Sequence, residues 1–247
     1  MLKVLDAYKT FNKGSFDEKK AIQGLSLDVP KGDFITIIGS NGAGKSTLFN
    51  LICGSFLTDS GRIIIDGRDV TFEKEYVRSK YIGRIYQDPM KGSAPGLTIE
   101  ENLALACGKG GWLSSVGKND KEFFRSQLAR LNMGLEDRMK HPVGLLSGGQ
   151  RQAVTLMMAT ICPPKVLLLD EHTAALDPKS AEKVLEITNE IVEENDLTCL
   201  MITHNMQSAL DLGNRTIMMD SGRIIYDVKD EEKKKLTVDD LLMKFRE

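Results

Sequence analysis

A glycine-rich segment has the residue types and spacing of a phosphate-binding loop. Residues 39–47 read GSNGAGKST, which fits the pattern G-x-x-x-x-G-K-S/T. Glycines let the backbone wrap a phosphate chain with amide N–H groups pointing inward, and a following helix N-terminus adds positive charge. Lys45 is therefore expected to reach the β- and γ-phosphates of a nucleoside triphosphate, Ser46 to ligate Mg²⁺, and Thr47 to help hold the α-phosphate side. The predicted nucleotide-binding residues of this segment are Gly39, Ser40, Asn41, Gly42, Ala43, Gly44, Lys45, Ser46 and Thr47.

Two adjacent acids end an apolar run farther along the chain. The run VLLLD finishes on Asp170, and Glu171 follows directly. In a fold with such a loop, this strand is expected to lie beside the strand that precedes the loop, and its terminal carboxylate to hold Mg²⁺ and its water shell, so Asp170 is predicted as a metal ligand. The next carboxylate is placed to take a proton from a water that attacks the γ-phosphate. Strand ends are often acidic for structural reasons, so the interpretation depends on the phosphate loop.

A second glycine-containing segment predicts another anion site. Residues 145–161 read LLSGGQRQAVTLMMATI, in which Ser147 is expected to cap a helix. Gly148 and Gly149 then expose amides at the positive end of that helix. One phosphate loop holds one triphosphate, so a second site makes sense if it serves another copy of the chain. We therefore predict a head-to-tail dimer with two nucleotides at its interface, contacted by Ser147, Gly148, Gly149 and Gln150.

Alternating strands and helices must position these residues. The run DFITIIG before the phosphate loop predicts a buried strand, and KSTLFNLICG after it predicts a helix. Further strands are predicted at VLLLD, LTCLMITH, RTIMMD and RIIYDV, with a strand and turn in GRIIIDGRDV. This alternation indicates an α/β fold with a parallel-sheet core. The helix-rich stretch at about 95–160 is expected to form a subdomain inserted in that core.

Local signals mark the helix ends. Thr98 and Glu101 have the spacing of a capping box, and Asp177 is predicted to cap a helix with Pro178 in its first turn. A helix is predicted over residues 119–134, ending on a glycine. Residues 108–118 form a predicted glycine-rich loop. The tail, residues 230–247, is a charge run followed by a short amphipathic helix, interpreted as a solvated surface helix with partner docking as the alternative.

Composition excludes several classes of protein. The 247 residues carry 33 Lys and Arg against 35 Asp and Glu, a net charge of −2, which gives no reason to expect nucleic-acid binding. No apolar run approaches the roughly 20 residues that span a bilayer. Acids and lysines among the first ten residues argue against a signal peptide. Four scattered cysteines without a CxxC pair suggest a reducing compartment, the cytosol.

The chain resembles the nucleotide-binding subunits of ATP-binding cassette (ABC) transporters over essentially its full length. The motifs that carry this resemblance are GSNGAGKST, LSGGQ and DEHTAALD, in that order. The resemblance implies a P-loop NTPase (RecA-like) core with an antiparallel β subdomain and an inserted helical subdomain. It also implies a single nucleotide-binding domain over residues 1–247, with its core at about 1–94 and 161–247.

The resemblance assigns further site residues. Phe11 stands where the family has an aromatic residue that stacks on adenine, although a core position is the alternative and Phe16 is a weaker candidate. Gln87 matches the glutamine that touches Mg²⁺ or the attacking water and links to the helical subdomain. Asp177 matches a dimer-interface residue. His204 matches the histidine that contacts the γ-phosphate.

One position departs from the family pattern. The family usually has proline after the catalytic glutamate, and here His172 takes that place. Proline would fix φ and stiffen the turn, whereas histidine adds a titratable group. We interpret His172 as a subfamily variant of the turn, with tuning of Glu171 or the following loop as the alternative.

Together these features predict an ATPase that powers a transporter. Two copies are expected to close on two MgATP and to move separate permease subunits at the cytoplasmic face of the membrane. The permease would dock near residues 87–96. The loop around Trp112 is interpreted as an ordinary exposed loop, with an extension of that docking surface as the alternative. The DEHTAALDP, EENLALA and LTVDDLL segments most resemble importers whose extracytoplasmic binding proteins are associated with amino acids.

Three other functions remain open at the sequence level. A soluble ABC ATPase of the iron–sulfur assembly type also has one cassette of this size, and its partner would be a soluble scaffold. A regulatory module with little hydrolysis is disfavoured by the complete set of Lys45, Asp170, Glu171 and His204. A P-loop kinase fails to explain LSGGQ.

Overall fold

The computed structural model describes residues 1–108 and 116–245. Most of the loop predicted at 108–118, including Trp112, therefore lies outside the described residues. The strands are β1 (Leu2–Phe11), β2 (Lys19–Val29), β3 (Phe34–Gly39), β4 (Ser60–Ile65), β5 (Arg68–Asp69), β6 (Ile82–Ile85), β7 (Val166–Asp170), β8 (Thr198–Ile202), β9 (Arg215–Asp220) and β10 (Arg223–Lys229). The helices are α1 (Lys45–Cys53), α2 (Glu75–Arg78), α3 (Ile99–Ala106), α4 (Lys118–Ala129), α5 (Gly148–Thr160), α6 (Pro178–Glu194), α7 (Met206–Asp211), α8 (Asp230–Lys233) and α9 (Val238–Lys244).

The described residues divide into two compact units. The first contains Met1–Ile82, Lys165–Asp170 and the described residues from Asp196 onward. The second contains the described residues of Gly83–Pro164 together with Glu171–Asn195. The chain passes from the first unit to the second between Asp170 and Glu171, so the two adjacent acids belong to different units.

The first unit contains a mixed sheet that carries the phosphate loop. Its strands run in the order β10-β9-β3-β8-β7, in which β9, β3, β8 and β7 are parallel and β10 is antiparallel to β9. Every residue of β3 and β8 is buried, as expected for parallel strands covered on both faces. The α/β fold with a parallel core, predicted from the alternation of apolar runs, is confirmed.

The first unit also contains an antiparallel sheet in the order β2-β1-β4-β5. Apolar side chains of β1, β2 and β4 share one core cluster with α1 and with strands of the mixed sheet. Helix α1 contributes a fully buried face of Leu48, Phe49, Leu51 and Ile52 to that cluster. The helix that follows the phosphate loop is therefore fixed by extensive apolar burial.

The second unit is mainly helical. Helix α5 packs on α6 and also contacts α3 and α4. Helix α3 begins at Thr98, and both hydrogen bonds of the predicted capping box with Glu101 are present. Asn102, fully buried in α3, accepts a hydrogen bond from the Ala94 amide at 2.8 Å and donates to carbonyl oxygens of Ala94 and Thr98. The side chain of Asn102 thus orders the loop that precedes α3.

Two sequence-based expectations about helices need correction. The helix predicted over residues 119–134 is α4, which ends at Ala129. Asn132 adopts a left-handed backbone with φ of 51°, so the helix cannot continue to Gly134. The tail helix α9 is not wholly solvated, because Leu241 is buried in a cluster with Ile38, Ala209 and Met218.

Candidate functional site

The phosphate loop joins β3 to α1, and two of its glycines are required by close backbone approach. Gly39 has φ of 154°, and a Cβ there would lie 2.3 Å from the Met219 carbonyl oxygen. Gly44 has φ of 103°, and a Cβ there would lie 2.6 Å from the Ala21 carbonyl oxygen. Any side chain at either position would force the backbone to move, so the loop depends on glycine at both.

Lys45 is held inside the loop to which it belongs. Its side chain is 5% exposed, and its ammonium donates to the carbonyl oxygens of Gly39 at 2.7 Å and Ser40 at 3.0 Å. Ser46 is exposed in the first turn of α1, and that turn contains no acidic residue. The positive end of α1 is therefore not neutralised by its own side chains, which favours an anion at the loop.

The turn between β9 and β10 supports the phosphate loop. The Gly222 amide donates to the Ala43 carbonyl oxygen at 2.9 Å, and the Gln23 amide donates to the Gly222 carbonyl oxygen at 3.0 Å. The Ser40 hydroxyl donates to Asp220 at 3.3 Å. The sequence predicts the two strands that flank this turn but not its contact with the phosphate loop, because that contact joins segments that lie far apart in the chain.

Asp170 and His204 belong to the same sheet edge as the phosphate loop. In the strand register Asp170 pairs with Ile202 on β8, and Ile202 pairs with Ile37 on β3. The prediction that β7 lies directly beside β3 is therefore wrong, because β8 lies between them. The carboxyl ends of the three parallel strands nevertheless meet at one edge. Asp170 ends β7, and His204 is exposed two residues after β8. The structure thus brings together the predicted phosphate loop, metal ligand and γ-phosphate contact.

The oxygen donors at this edge suit a hard divalent cation. Mg²⁺ takes oxygen ligands and typically uses only one or two protein groups beside substrate phosphates and water. The Ser46 hydroxyl and the Asp170 carboxylate are donors of this kind. Within residues 1–108 and 116–245, no group of three or more His, Cys, Asp or Glu side chains is placed to hold a metal by itself. A magnesium site here would be completed by nucleotide phosphate.

In the second unit, Glu171 has a strained backbone. Its φ is 48°, a left-handed conformation that residues other than glycine seldom adopt. Such a conformation costs on the order of 1–3 kcal/mol and persists only when the surrounding structure imposes it. The turn that follows is closed by a hydrogen bond from the Ala174 amide to the Glu171 carbonyl oxygen at 3.0 Å. Strain of this kind at a predicted general base is consistent with a functional position.

His172 is a buried residue whose ring binds α6. Its side chain is 2% exposed, and Nε2 lies 3.1 Å from the Thr188 hydroxyl oxygen. The Thr188 hydroxyl donates its one proton to the Val184 carbonyl oxygen at 2.7 Å, so Nε2 of His172 must carry the hydrogen and donate. Burial lowers the pKa of His172 from 6.5 to about 4. The neutral ring therefore ties the segment after Glu171 to α6.

The LSGGQ segment opens α5 as predicted. The Ser147 hydroxyl accepts from the Gln150 amide, and the Gln150 side chain accepts from the Ser147 amide, both at 3.3 Å. These caps do not use the amides of Gly148 and Gly149, which lie at the positive end of α5. Gly149 also permits close helix packing, because a Cβ there would lie 3.0 Å from Cβ of Ser180 on α6.

Asp177 lies near this helix end. Its carboxylate accepts from the Ser180 amide at 3.1 Å and so caps α6, with Pro178 in the first turn. The hydrogen bonds from Ser180 lower the pKa of Asp177. A Cβ at Gly148 would lie 3.1 Å from the side chain of Leu176, one residue before Asp177. The second unit therefore brings together the LSGGQ segment and Asp177.

The two remaining site residues occupy separate positions. Gln87 is exposed two residues after β6, in the second unit. Phe11 ends β1 in the first unit, partly buried, with its ring 5.2 Å from that of Phe56 in an edge-to-face pair. The ammonium of Lys9 lies 5.6 Å from the Phe11 ring centroid. Phe16 is fully exposed.

A phosphate loop between a central parallel strand and a helix, with an acid at the end of a strand in the same sheet, is the arrangement of a P-loop nucleoside-triphosphate-binding protein. The family described as ABC transporter matches residues 22–174 of the chain. The chain belongs to the ABC transporter family. It is the type of subunit that binds and hydrolyses ATP for such a transporter. The family predicted from the motifs is thereby confirmed.

The similarity extends across whole chains. A tyrosine transport ATP-binding protein of Clostridioides difficile is 42% identical over 99% of this chain and 98% of its own length. A methionine import ATP-binding protein of Rhizobium johnstonii is 37% identical over 86% of this chain and 58% of its own length. A solved dimeric ATP-binding cassette, in a post-hydrolysis state with ADP and Pi, has a TM-score of 0.78 and 28% identity over 93% of this chain and 98% of that chain.

None of the helices in the described part of the chain is long and apolar enough to cross a membrane.

Proposed function

We propose that the chain powers the import of an amino acid, with an aromatic amino acid such as tyrosine as the favoured substrate. The observation that carries this proposal is its 42% identity to a tyrosine transport ATP-binding protein over nearly the full length of both chains. The relative named for methionine import supports the broader class of amino acids. Selectivity itself would reside in the permease and the binding protein, because the ATP-binding chain supplies energy and not a substrate pocket.

Each site residue has a proposed role in ATP hydrolysis. Lys45 and the phosphate-loop amides neutralise phosphate charge, and the buried position of Lys45 favours this because a buried cation gains from an anionic ligand. Glu171 accepts the proton of the attacking water. His204 and Gln87 order the γ-phosphate and the water. Phe11 stacks on the adenine ring.

Mg²⁺ is the proposed cofactor. Ser46 and Asp170 would hold it with oxygen donors, and Gln87 is the third proposed ligand. When bound, Mg²⁺ supplies positive charge that neutralises the phosphates. The residues of the chain then do the remaining work, which is mostly positioning and electrostatic stabilisation.

The active assembly is proposed to be a head-to-tail dimer of this chain, with the whole of residues 1–247 as one nucleotide-binding domain. Ser147 and Gly149 of one copy would bind the nucleotide held by the phosphate loop of the other, assisted by Gly148 and Gln150. Support comes from the amides at the positive end of α5. Asp177 would contribute to the same interface. The related cassette that was solved as a dimer with ADP and Pi supports a dimeric assembly.

The partners follow from the transport role. Separate transmembrane permease subunits would receive the conformational change, since binding and release of nucleotide shift the dimer between states. They would dock near residues 87–96. An extracytoplasmic binding protein is the third proposed component, and the chain would lie at the cytoplasmic face of the membrane. A nucleic-acid partner is not proposed, because the net charge is −2.

Co-purification tests this function directly. The tagged chain would be recovered from its own cells after solubilisation of membranes in mild detergent, and its partners identified by mass spectrometry. We expect a multi-span permease and a binding protein, and we expect purified binding protein to bind an amino acid in calorimetry. Recovery with soluble partners alone would overturn the transport proposal and leave only the ATP chemistry.

A Glu171→Gln chain provides the matched control. It should retain the same partners, because the substitution preserves size, but its complex should lose ATP-driven uptake of the amino acid into vesicles. Uptake by this variant at the wild-type rate would contradict the proposed role of ATP hydrolysis in import.

A further inference from the structure

Helix α7 (Met206–Asp211) begins two residues after His204. The Asn205 side chain caps this helix by accepting a hydrogen bond from the Ser208 amide at 3.0 Å. The Asn205 amide in turn donates to the Thr203 hydroxyl at 3.1 Å. His204 therefore lies in a tight connection between β8 and α7, so any displacement of α7 changes the position of the imidazole.

Two buried hydroxyls bind α7 to the sheet. Thr36 on β3 and Thr216 on β9 are fully buried, and their hydroxyl oxygens lie 2.8 Å and 2.9 Å from the Ala209 carbonyl oxygen. The two hydroxyls are also 2.8 Å apart. Because each hydroxyl has one proton, one of them can donate to Ala209 while the other donates to the first. The strand that leads into the phosphate loop is thus joined to the helix that follows His204.

A buried lysine from the C-terminal segment binds the other end of α7. Lys233 is 3% exposed, and its ammonium donates to the carbonyl oxygens of Leu212 and, at 3.0 Å, Gly213. A cation at the carboxyl end of a helix is favourable because the carbonyls there are unpaired and carry partial negative charge. Burial lowers the pKa of Lys233 to about 8, while the nearby Asp211 acts in the opposite direction. The ammonium form therefore predominates at neutral pH.

Helix α9 packs against α7. Leu241 is fully buried in a cluster with Ala209, Ile38 and Met218, and the partly buried Leu236 and Phe245 pack against the same cluster. Apolar burial thus fixes α7 and α9 together against β3 and β9, the two strands that carry the threonines.

We propose that the C-terminal segment, residues 230–245, positions His204 by holding α7 in place, and that Lys233 is the main positioning residue. This inference rests on the proposed role of His204 in ordering the γ-phosphate. Lys233 does not touch nucleotide in this proposal, and it acts only through α7. We expect the C-terminal segment to affect turnover and not nucleotide affinity, because Lys233 binds the carbonyl oxygens of Leu212 and Gly213, which lie outside the phosphate loop.

The test compares two adjacent lysines in the full-length chain. Lys233→Met removes the buried ammonium and keeps a chain of similar length. Lys234→Met is the control, because Lys234 is exposed and its ammonium pairs with Glu231 of the adjacent helix α8 at 2.7 Å. We expect Lys233→Met to lower kcat for MgATP by roughly tenfold, since small displacements of a catalytic group can cost up to about a hundredfold, with KM for ATP unchanged. The control should match wild type in both constants.

A spectroscopic measurement separates positioning from general stability. The chain has three histidines, so the imidazole signals in a proton–carbon NMR spectrum can be assigned with His204→Gln and His141→Gln variants. We expect Lys233→Met to shift the His204 signal and leave that of His141 unmoved. If Lys233→Met fails to fold, Thr216→Val takes its place. This variant removes one hydroxyl at constant shape and should shift the His204 signal from its wild-type position, whereas Thr216→Ser, which keeps the hydroxyl, should not.

The inference is overturned if Lys233→Met has wild-type kcat, or if it raises KM for ATP without changing kcat. An unshifted His204 signal in both Lys233→Met and Thr216→Val would also overturn it. Failure of the proposed function gives a different result. In that case His204→Gln itself would turn over ATP at the wild-type rate.

Discussion

The buried imidazole of His172 predicts a specific loss of stability in acid. In the folded chain its pKa is lowered to about 4, against 6.5 for the ordinary group. Between these values the unfolded chain binds a proton that the folded chain does not, so the free energy of unfolding falls as the pH falls from 6.5 towards 4. Above pH 6.5 the ring is neutral in both states and this contribution is fully present.

The magnitude follows from the same two values. A difference of about 2.5 pH units corresponds to about 3 kcal/mol of stability lost by pH 4. That is a large share of the roughly 5–15 kcal/mol that stabilises a typical domain. Part of the loss would be recovered if the folded chain rearranged to hydrate the ring, so 3 kcal/mol is an upper value.

A non-titrating substitution isolates this effect. His172→Gln can keep an N–H donor near the position of Nε2, which donates to Thr188, but it cannot take up a proton in this range. Urea unfolding would be measured from pH 7 to pH 4.5 for wild type and variant. We expect the wild type to lose stability more steeply than His172→Gln. The exposed His141→Gln provides the control and should follow the wild-type slope.

Two results would refute this reasoning. One is an equal pH slope for wild type and His172→Gln, which would show that the ring is not buried in its neutral form. The other is a steeper slope for the variant. Whether His172 also tunes Glu171 is tested separately by the pH dependence of ATP turnover. An unchanged pH–rate profile in His172→Pro would exclude such tuning.

The glycine contacts give two further predictions. Gly39→Ala should weaken ATP binding by at least about tenfold in a fluorescence titration, because its Cβ would lie 2.3 Å from the Met219 carbonyl oxygen. Wild-type affinity in this variant would contradict the steric argument. Gly149→Ala should lower the free energy of unfolding by about 1–3 kcal/mol, because its Cβ would crowd Ser180 and separate α5 from α6. An unchanged melting curve would contradict this, since it would show that the two helices accommodate a methyl group.

Much of the site could be predicted from the sequence because its determinants are local. The phosphate loop, the Ser147 capping box and the Asp177 cap each depend on residues within a few positions of one another. The strand ends could be predicted as well, because fully buried parallel strands give uninterrupted apolar runs, as in β3 and β8. The order of these strands was predicted wrongly, because β8, which lies much later in the chain, inserts between β3 and β7.

The features that escaped prediction depend on contacts between distant segments. Nothing near His172 in the sequence indicates that Thr188 receives its N–H, sixteen positions away on the next helix. Thr36 and Thr216 look like ordinary strand threonines until the sheet brings their hydroxyls to Ala209. Lys233 stands in a charge run that predicts a solvated surface, yet it is buried because the end of α7 offers carbonyl oxygens.

The end of α4 shows how local backbone preference can override a longer pattern. The periodic sequence continues past Ala129, and Gly134 offers a conventional stop. Asn132 adopts the left-handed conformation first, which asparagine tolerates better than most residues. The helix therefore ends earlier than the pattern alone predicts.

ATP turnover by Glu171→Gln is the measurement that tests the proposed chemistry most directly. Phosphate release would be followed with saturating MgATP, with Glu190→Gln on the exposed face of α6 as the control. If Glu171 accepts the proton of the attacking water, its loss should lower turnover by about a hundredfold or more while ATP binding persists. Hydrolysis by Glu171→Gln at the wild-type rate would contradict the assignment of Glu171 as the general base.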